Sequence, residues 1–494
     1  MFMSMASSKL LFACFALFLS LSTVSVTSQQ LLPLTHSLSK TQFSSAHHLL
    51  KSTATISAAR HRRHTNKNRN HHQQVSLPLT PGSDYTLTFT LKSQTLSVYM
   101  DTGSDMVWFP CSPFECILCE GKYPPGSLSP LNVSKSSLLS CKSPACSSAH
   151  SSLSSSNLCA ISKCPLDEIE ISDCSKYSCP SFYYAYGDGS LIAELHSENI
   201  LMPSTSNNKP LNLKNFTFGC AHSTLGEPIG VAGFGRGSLS LPAQLANLSP
   251  DLGNQFSYCL VSHSFDSTKL RHPSPLILGK YKETEIDQYV YTPMLENPKH
   301  PYFYSVGLEA ISVGSRRIEA PENLRRVDIQ GNGGVVVDSG TTYTMLPSKL
   351  YKAVAAELER RAGKVLKRAT QTESMTGLRP CFYMHGGKGS LGLGVVIPSL
   401  TLHFGRNSSV VLPKKNYFHE FMDGGDEKKN KKGKKVGCLM MMDAGEEEEE
   451  ESGPGATLGN YQQQGFEVVY DLAERRVGFA RRECATMWNN LNQH

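Results

Sequence analysis

No HExxH occurs anywhere in the sequence, and no GxSxG. The first absence removes the paired-histidine helix of zinc peptidases, and the second removes the nucleophile elbow of serine hydrolases. Gly387, Gly389 and Gly392 do space as GxGxxG, but no strand–helix–strand context surrounds them, so a flexible loop is expected there. Acidic residues are missing from the first 74 positions, where Lys9, Lys40, Lys51, Arg60, Arg62, Arg63, Lys67 and Arg69 stand. That local excess produces the net charge of +6; the rest of the chain holds 40 basic against 42 acidic residues and gives no electrostatic case for nucleic acid. Long apolar runs are scarce too. One exists, Leu10 to Leu21, and it is too short to span a bilayer. No hydrophobic tail for a lipid anchor closes the sequence, so no membrane anchor is expected.

What is present suits a large globular body: 39% hydrophobic residues and 38 glycines over 494 positions, with a prior of two or three domain-sized units. The apolar run behind Lys9, ending in small residues, reads as a signal peptide over 1–28. Without Cys14 the cysteines number fourteen, an even count that in an exported protein implies disulfides. Residues 29–74 are Ser-, His- and Lys/Arg-rich and read as a prosegment. From Val75 the texture becomes alternating and β-branched, as in YTLTFTL and TLSVYM, which predicts antiparallel sheet.

Nine cysteines fall between Cys111 and Cys179 in a Ser-rich insertion with little strand or helix character. The Cys116 and Cys119 spacing could hold zinc, but few histidines lie near, and disulfides are the expectation. Phe182–Ile192 reads as a hairpin turning at Asp188-Gly189, with Tyr184 and Tyr186 on one face. LSLPAQLANL predicts a short helix capped by Ser238 or Ser240, and Ser348–Arg368 a long amphipathic one with a Ser cap and a solvated charged face. Asp423–Ser452 carries a Lys run and a Glu run and reads as a charged surface loop. Two strands around DLAERR end the body.

The organising signal is a pair. SVYMDTGSDMVW contains Asp101, Thr102, Gly103 and Ser104; GVVVDSGTTYTM contains Asp338, Ser339, Gly340 and Thr341. In each, an apolar strand ends in a carboxylate, a glycine permits a sharp turn, and hydroxyls stand ready to hold the acid. Each also has a later apolar–Gly partner, Val231-Ala232-Gly233 and Thr457-Leu458-Gly459, which points to a duplicated β-rich lobe with the two aspartates equivalent at the interface. Two facing carboxyls share one proton and offer an acid and a base together, which is a water activator; aspartic proteases are the known instance.

With YAYGDGS, GFGRGSLSLPAQL, FSYC, LGNYQQQGFEVVYDL and RVGFA in the same order, Val75 to Cys484 resembles a pepsin-superfamily aspartic protease of the nepenthesin-like plant type. The resemblance implies a mainly β, bilobal fold of two pseudo-symmetric antiparallel lobes, 75–285 and 286–494, the first carrying the insertion 111–179 and the second the loop 423–452. It implies that Asp101 and Asp338 are catalytic, that Thr102 and Ser339 cross-brace the turns, and that Ser104 and Thr341 bond the carboxylates from outside. Tyr186 and Gly187 would form a flap, with the Tyr186 hydroxyl near Trp108. Implied disulfides are Cys111 with Cys116, Cys119 with Cys220, Cys259 with Cys484 and Cys381 with Cys438, the pairing among Cys141 to Cys179 staying open. A secreted acid endopeptidase follows, acting as a monomer on peptide and protein substrates, with no metal or other cofactor. Catalytically dead members of this fold act as inhibitors of cell-wall glycosidases, so a binding protein is the rival; both aspartates being present favours the enzyme. Asn132, Asn215, Asn247 and Asn407 open N-x-S/T sequons for glycans.

Overall fold

A computed structural model describes residues 30–36, 46–65, 85–119, 129–186, 189–203, 210–248, 252, 255–262, 273–279, 289–384, 397–423, 433–445 and 453–491. The signal segment, the GxGxxG stretch, Gly187 and the boundary at 285/286 lie outside them.

Within the described residues the chain runs β1 (Gln30–His36), α1 (Ala46–Thr65), β2 (Tyr85–Leu91), β3 (Gln94–Asp101), β4 (Val107–Ile117), β5 (Phe182–Tyr186), β6 (Gly189–Met202), β7 (Leu211–Leu225), β8 (Val231–Gly233), β9 (Gln255–Cys259) and β10 (Ser274–Leu278). A second, similar half follows. The duplication seen in the motifs is a duplication of register. In the first half β3 lies parallel to β8, with Met100 opposite Ala232 and Asp101 opposite Gly233; in the second, Val335–Val337 lies parallel to Ala456–Leu458, with Val337 opposite Leu458. Both aspartates therefore leave the end of a strand whose neighbour is the apolar–Gly segment. The segments that pair here, VVV, VAG and ATL, are short and wholly buried, as a parallel pairing covered on both faces requires.

The halves are joined by one antiparallel sheet. β1 pairs with β10, β10 with β9, β9 with Phe466–Asp471, that strand with Arg476–Arg481, and the last with Val290–Leu295. Leu32 and Leu34 of β1 belong to the same buried cluster as Phe256, Tyr470 and Val337, so one core runs through both lobes.

Several expectations are corrected. Cys111 pairs with Cys220 and Cys116 with Cys119, not Cys111 with Cys116 and Cys119 with Cys220. The reason is register: β4 lies parallel to β7 with Phe109 opposite Cys220, which brings Cys111 to that sulfur, while Cys116 and Cys119 flank the turn that ends β4. Cys259 joins Cys484 and Cys381 joins Cys438. In the insertion Cys141 pairs with Cys174, Cys146 with Cys179 and Cys159 with Cys164.

The insertion also carries three short helices, Pro144–Ala149, Ser155–Ile161 and Leu166–Glu170, the first two capped by Ser143 and Ser154. Each is too short to show a periodic apolar face. The long helix ends at Ala362; Ser348 is its first residue rather than its cap, and its hydroxyl reaches Asp443. Its charged face is not wholly solvated either. Glu357 is buried and takes Arg360, Arg361 and Arg316, an arrangement that holds its carboxyl well below the usual range, with the Arg360 hydrogen bond the largest cause. Finally, 423–452 is not one loop: Lys434–Leu439 is a strand between Cys381–Tyr383 and Phe418–Asp423, its apolar VGCL buried behind the lysines.

Candidate active site

The two Asp-x-Gly turns meet. A side chain grown on Gly340 would stand 2.2 Å from Asp101 Oδ1, and one on Gly103 would stand 2.9 Å from the Asp338 carboxyl. Each glycine is thus required by the opposite lobe's acid. Each also donates its backbone N–H to its own aspartate, Gly103 to Asp101 Oδ1 at 2.9 Å and Gly340 to Asp338 Oδ1 at 2.8 Å.

Between the acids the second residues of the turns interlock. Ser339 N donates to Thr102 Oγ1 at 2.8 Å, and Thr102 N to Ser339 Oγ at 3.1 Å. The hydroxyls pass their protons onward to the main chain of the other lobe, Thr102 to Val337 O and Ser339 to Met100 O. All donors and acceptors of this small buried network are satisfied, which makes it rigid. The flanking hydroxyls differ. Thr341 Oγ1 donates to Asp338 Oδ2 at 2.6 Å, whereas Ser104 Oγ is buried near Asp101 without closing a hydrogen bond.

Both acids are buried. Burial first, and the Asp338 carboxyl second, push Asp101 up to about 6, while Arg60 pulls the other way. A carboxyl at that value exchanges its proton in mildly acid water.

Sequence reasoning missed three groups of residues here. The first supports the turns from below: Asn460 Nδ2 donates to Ser339 O, Gln463 Nε2 to Asp338 O, and Tyr258 hydrogen-bonds both Gln463 and Tyr470. The LGNYQQQ motif carried that signal. The second is Asp105, whose carboxylate accepts Gly237 N at 2.5 Å and whose own N–H donates to the Tyr184 hydroxyl at 3.2 Å. Tyr184 thereby ties strand β5 to the first turn. The side chain of Tyr186, and with it the expected approach to Trp108, lies outside the described residues; Trp108 is buried on β4.

The third group comes from α1. Arg60 Nη1 lies 3.7 Å from Asp101 Oδ1, Ser57 Oγ accepts Tyr343 N at 3.0 Å, and His61 Nδ1 meets Thr457 Oγ1 at 2.9 Å. Leu50 and Ala54 bury against Tyr343, Leu378, Phe421 and Tyr461, and His47 reaches Asp423 at 2.8 Å. Nothing in the local sequence marks this helix, because its side chains find their partners only across the fold.

Residues 85–280 match the family described as xylanase inhibitor N-terminal, and residues 303–481 the one described as xylanase inhibitor C-terminal. A probable aspartyl protease of Arabidopsis thaliana is 56% identical over 84% of this chain and 85% of its own length. The chain belongs to the pepsin-like aspartyl protease family. Its relatives include aspartic proteinase nepenthesin-1 of Nepenthes gracilis, 29% identical over 79% of this chain and 76% of the relative. Among solved structures, edgp superposes with a TM-score of 0.58 at 17% identity, covering 93% of the protease and 96% of that chain; conglutin gamma of lupine seeds gives 0.58 at 17% over 92% and 95%. These two likenesses speak to fold alone. No described helix of the protease is long and apolar enough to cross a membrane.

Proposed function

We propose that this aspartic protease is a secreted endopeptidase, made as a zymogen and active at acid pH, with Asp101 and Asp338 as its catalytic pair. One observation carries the reading: two buried carboxyls from pseudo-symmetric turns face each other across reciprocal Thr102–Ser339 hydrogen bonds.

With one proton shared between the carboxyls, the ionised member takes a proton from a water while that water's oxygen attacks the peptide carbonyl. The protonated member gives its proton to the carbonyl oxygen, forming a neutral gem-diol. The carboxyl that took the water's proton then gives it to the amide nitrogen while the other takes a proton from a gem-diol hydroxyl, so the C–N bond breaks, the amine and the carboxylic acid leave, and the pair ends with the single proton it began with. Gly103 N and Gly340 N keep the inner oxygens aligned, and Thr341 steadies the outer oxygen of Asp338.

The zymogen reading rests on α1. A guanidinium 3.7 Å from Asp101 would stand in the way of a substrate carbonyl brought to that acid, and Arg60 stays charged at every physiological pH. As pH falls through about 6, Asp101 gains a proton and the attraction is lost. Secretion is supported by the N-terminal apolar run and by seven disulfides. Asn132, Asn215, Asn247 and Asn407 are all exposed, as glycan acceptors must be.

Cleavage profiling of the mature protein, from Val75 onward, on a peptide library across pH 3–8 tests the reading. Expected is endopeptidase activity, bell-shaped on pH with an acid maximum. No cleavage at any pH would overturn it and favour a binding protein on this fold. Enzymatic deglycosylation of protein secreted from plant cells should lower its mass; an unchanged mass would reject the glycans.

A further inference from the structure

The helix α1 lies between strand β5 of the first lobe and three elements of the second, the helix Thr370–Thr376 and the strands Thr344–Leu346 and Phe418–Asp423. It therefore fills a groove that leads to the aspartates. His47, Leu50, Ala54, Ser57 and His61 recur at helical spacing, and each finds its partner on the second lobe. That stripe is a print of what the groove accepts.

The groove has an apolar stretch and a charged end. Leu50 and Ala54 sit in one buried cluster with Tyr343, Leu378, Phe421 and Tyr461, whose wall includes the bridged pair Cys381 and Cys438, so the apolar stretch is built by the body of the protease. At the end stands Asp423. Its Oδ1 lies 2.8 Å from His47 Nε2, its Oδ2 accepts the Thr372 hydroxyl, and the His47 ring stands edge-on to Phe421 at 5.7 Å. Lys434 is directly opposite Asp423 on the neighbouring strand, yet its ammonium lies over the Tyr383 ring at 5.1 Å. The cation that meets this acid comes from the segment in the groove.

The helix also gives the scale. Its other end places Arg60 Nη1 3.7 Å from Asp101 Oδ1, thirteen positions after His47, which is about 20 Å along a helix axis. An extended chain covers the same span in about six residues. A peptide lying in the groove with its scissile bond at the aspartates would thus bring one side chain to Asp423.

We propose that in the protease freed of α1 Asp423 is a specificity subsite that takes a lysine or arginine of the substrate, about six residues from the scissile bond, beyond an apolar subsite of Tyr343, Leu378, Phe421 and Tyr461. The inference rests on the reading of α1 as a removable block. His47, Leu50 and Ala54 are then the protein's own occupants of the two subsites. A carboxylate held in place by Thr372 and walled by Phe421 selects by charge, rewarding a cation and rejecting an anion.

The test uses the full chain matured by acid or by an added protease and freed of the released segment. Paired peptides carrying Arg or Glu about five to seven residues from one cleavage site, on either side of it, are compared by kcat/KM. Expected is a preference for Arg of at least about tenfold on one side alone, lost in Asp423→Asn and turned toward Glu in Asp423→Lys. Each figure is a ratio within one protein, so a general loss of activity does not imitate it. Circular dichroism checks folding, and Asp423→Asn suffices should the lysine variant misfold. No preference in the parent, or one that survives in the folded Asp423→Asn variant, would overturn the proposal and leave Asp423 as an anchor of α1 alone. Absence of all cleavage would count against the endopeptidase reading instead, and binding then decides the subsite. A labelled 46–65 peptide with His47→Arg should bind the parent at least about tenfold more tightly than one with His47→Glu, and the two should bind Asp423→Asn alike. Equal binding of both to the parent would overturn the subsite.

Discussion

The two Asp-x-Gly turns are near copies in sequence, yet the fold finishes them differently. Asp338 is completed by its own lobe: Gly340 N holds one oxygen and Thr341 Oγ1 the other. Asp101 receives Gly103 N from its own turn, has the Ser104 hydroxyl beside it rather than locked onto it at short range, and is faced by Asp338 and by Arg60 from α1. The copied motif guarantees two carboxyls in register, but what surrounds each decides how it holds a proton. A symmetric pair would have no reason to divide the labour of acid and base.

The strongest way to break the comparison is to remove either acid. Asp338→Asn and Asp101→Asn in the mature protein should each lower kcat by roughly 10²–10⁴-fold on a denatured protein substrate. A parent-like rate in either variant would sink the shared-proton mechanism. Next comes the helix that completes the first turn. Arg60→Ala in the full-length chain should give measurable cleavage of a small peptide near pH 6, where the proposed zymogen should give none. It should also raise the Asp101 pKa above about 6, because the positive charge that lowers it is gone. Unchanged latency would mean that α1 blocks the cleft by bulk alone.

A third buried acid extends the contrast to the shared sheet. Glu467 accepts from Ser257, Tyr289 and Arg482, yet burial dominates and pushes its carboxyl up to about 7 from 4.5. A raised pKa means that the folded state holds the proton more tightly. Its contribution is therefore complete below about pH 4.5 and lost as pH rises through about 7. The difference corresponds to about 3 kcal/mol. Glu467→Gln should flatten the fall in thermal stability between about pH 4.5 and 7, and an unchanged profile would show that the three donors keep the carboxylate ionised. The smallest effect sharpens the comparison itself. Thr341→Val should cost about 1.5–3 kcal/mol in transition-state stabilisation, the range of a hydrogen bond to a charged group, and Ser104→Ala less than half of that. Equal losses would restore the symmetry that the structure denies.

The turns, their apolar–Gly partners, the hairpin and the closing strands were legible because each is a local pattern: a strand ending in an acid, a two-residue turn, an alternation. The Cys111–Cys220 bridge was not, since spacing along the chain says nothing of the parallel pairing of β4 with β7 that sets it. Lys434–Leu439 was hidden because the lysines before it and the glutamates from Glu446 dominate the composition of the stretch, although Val436–Met442 is apolar. The helix α1 is basic, poor in apolar residues and without an acidic first turn. It is held by what it docks on, so its order is a tertiary fact that no reading of its own residues supplies.

The outer strand of the joining sheet has a consequence for the life history of the protein. β1 lies in the segment read as removable, yet it pairs with β10 from Gln30 to Leu34 and buries Leu32 and Leu34 in the common core. A chain that has shed it keeps the shape it was folded into but has lost part of the template that shaped it, and it exposes the edge of β10 to any extended strand that arrives. Its persistence then depends on a barrier to unfolding more than on the depth of an equilibrium. Were the protein to mature by losing this segment, a chain opened by heat or alkali would have no route back that retraces its synthesis, and removal would set a clock on the molecule as well as release it.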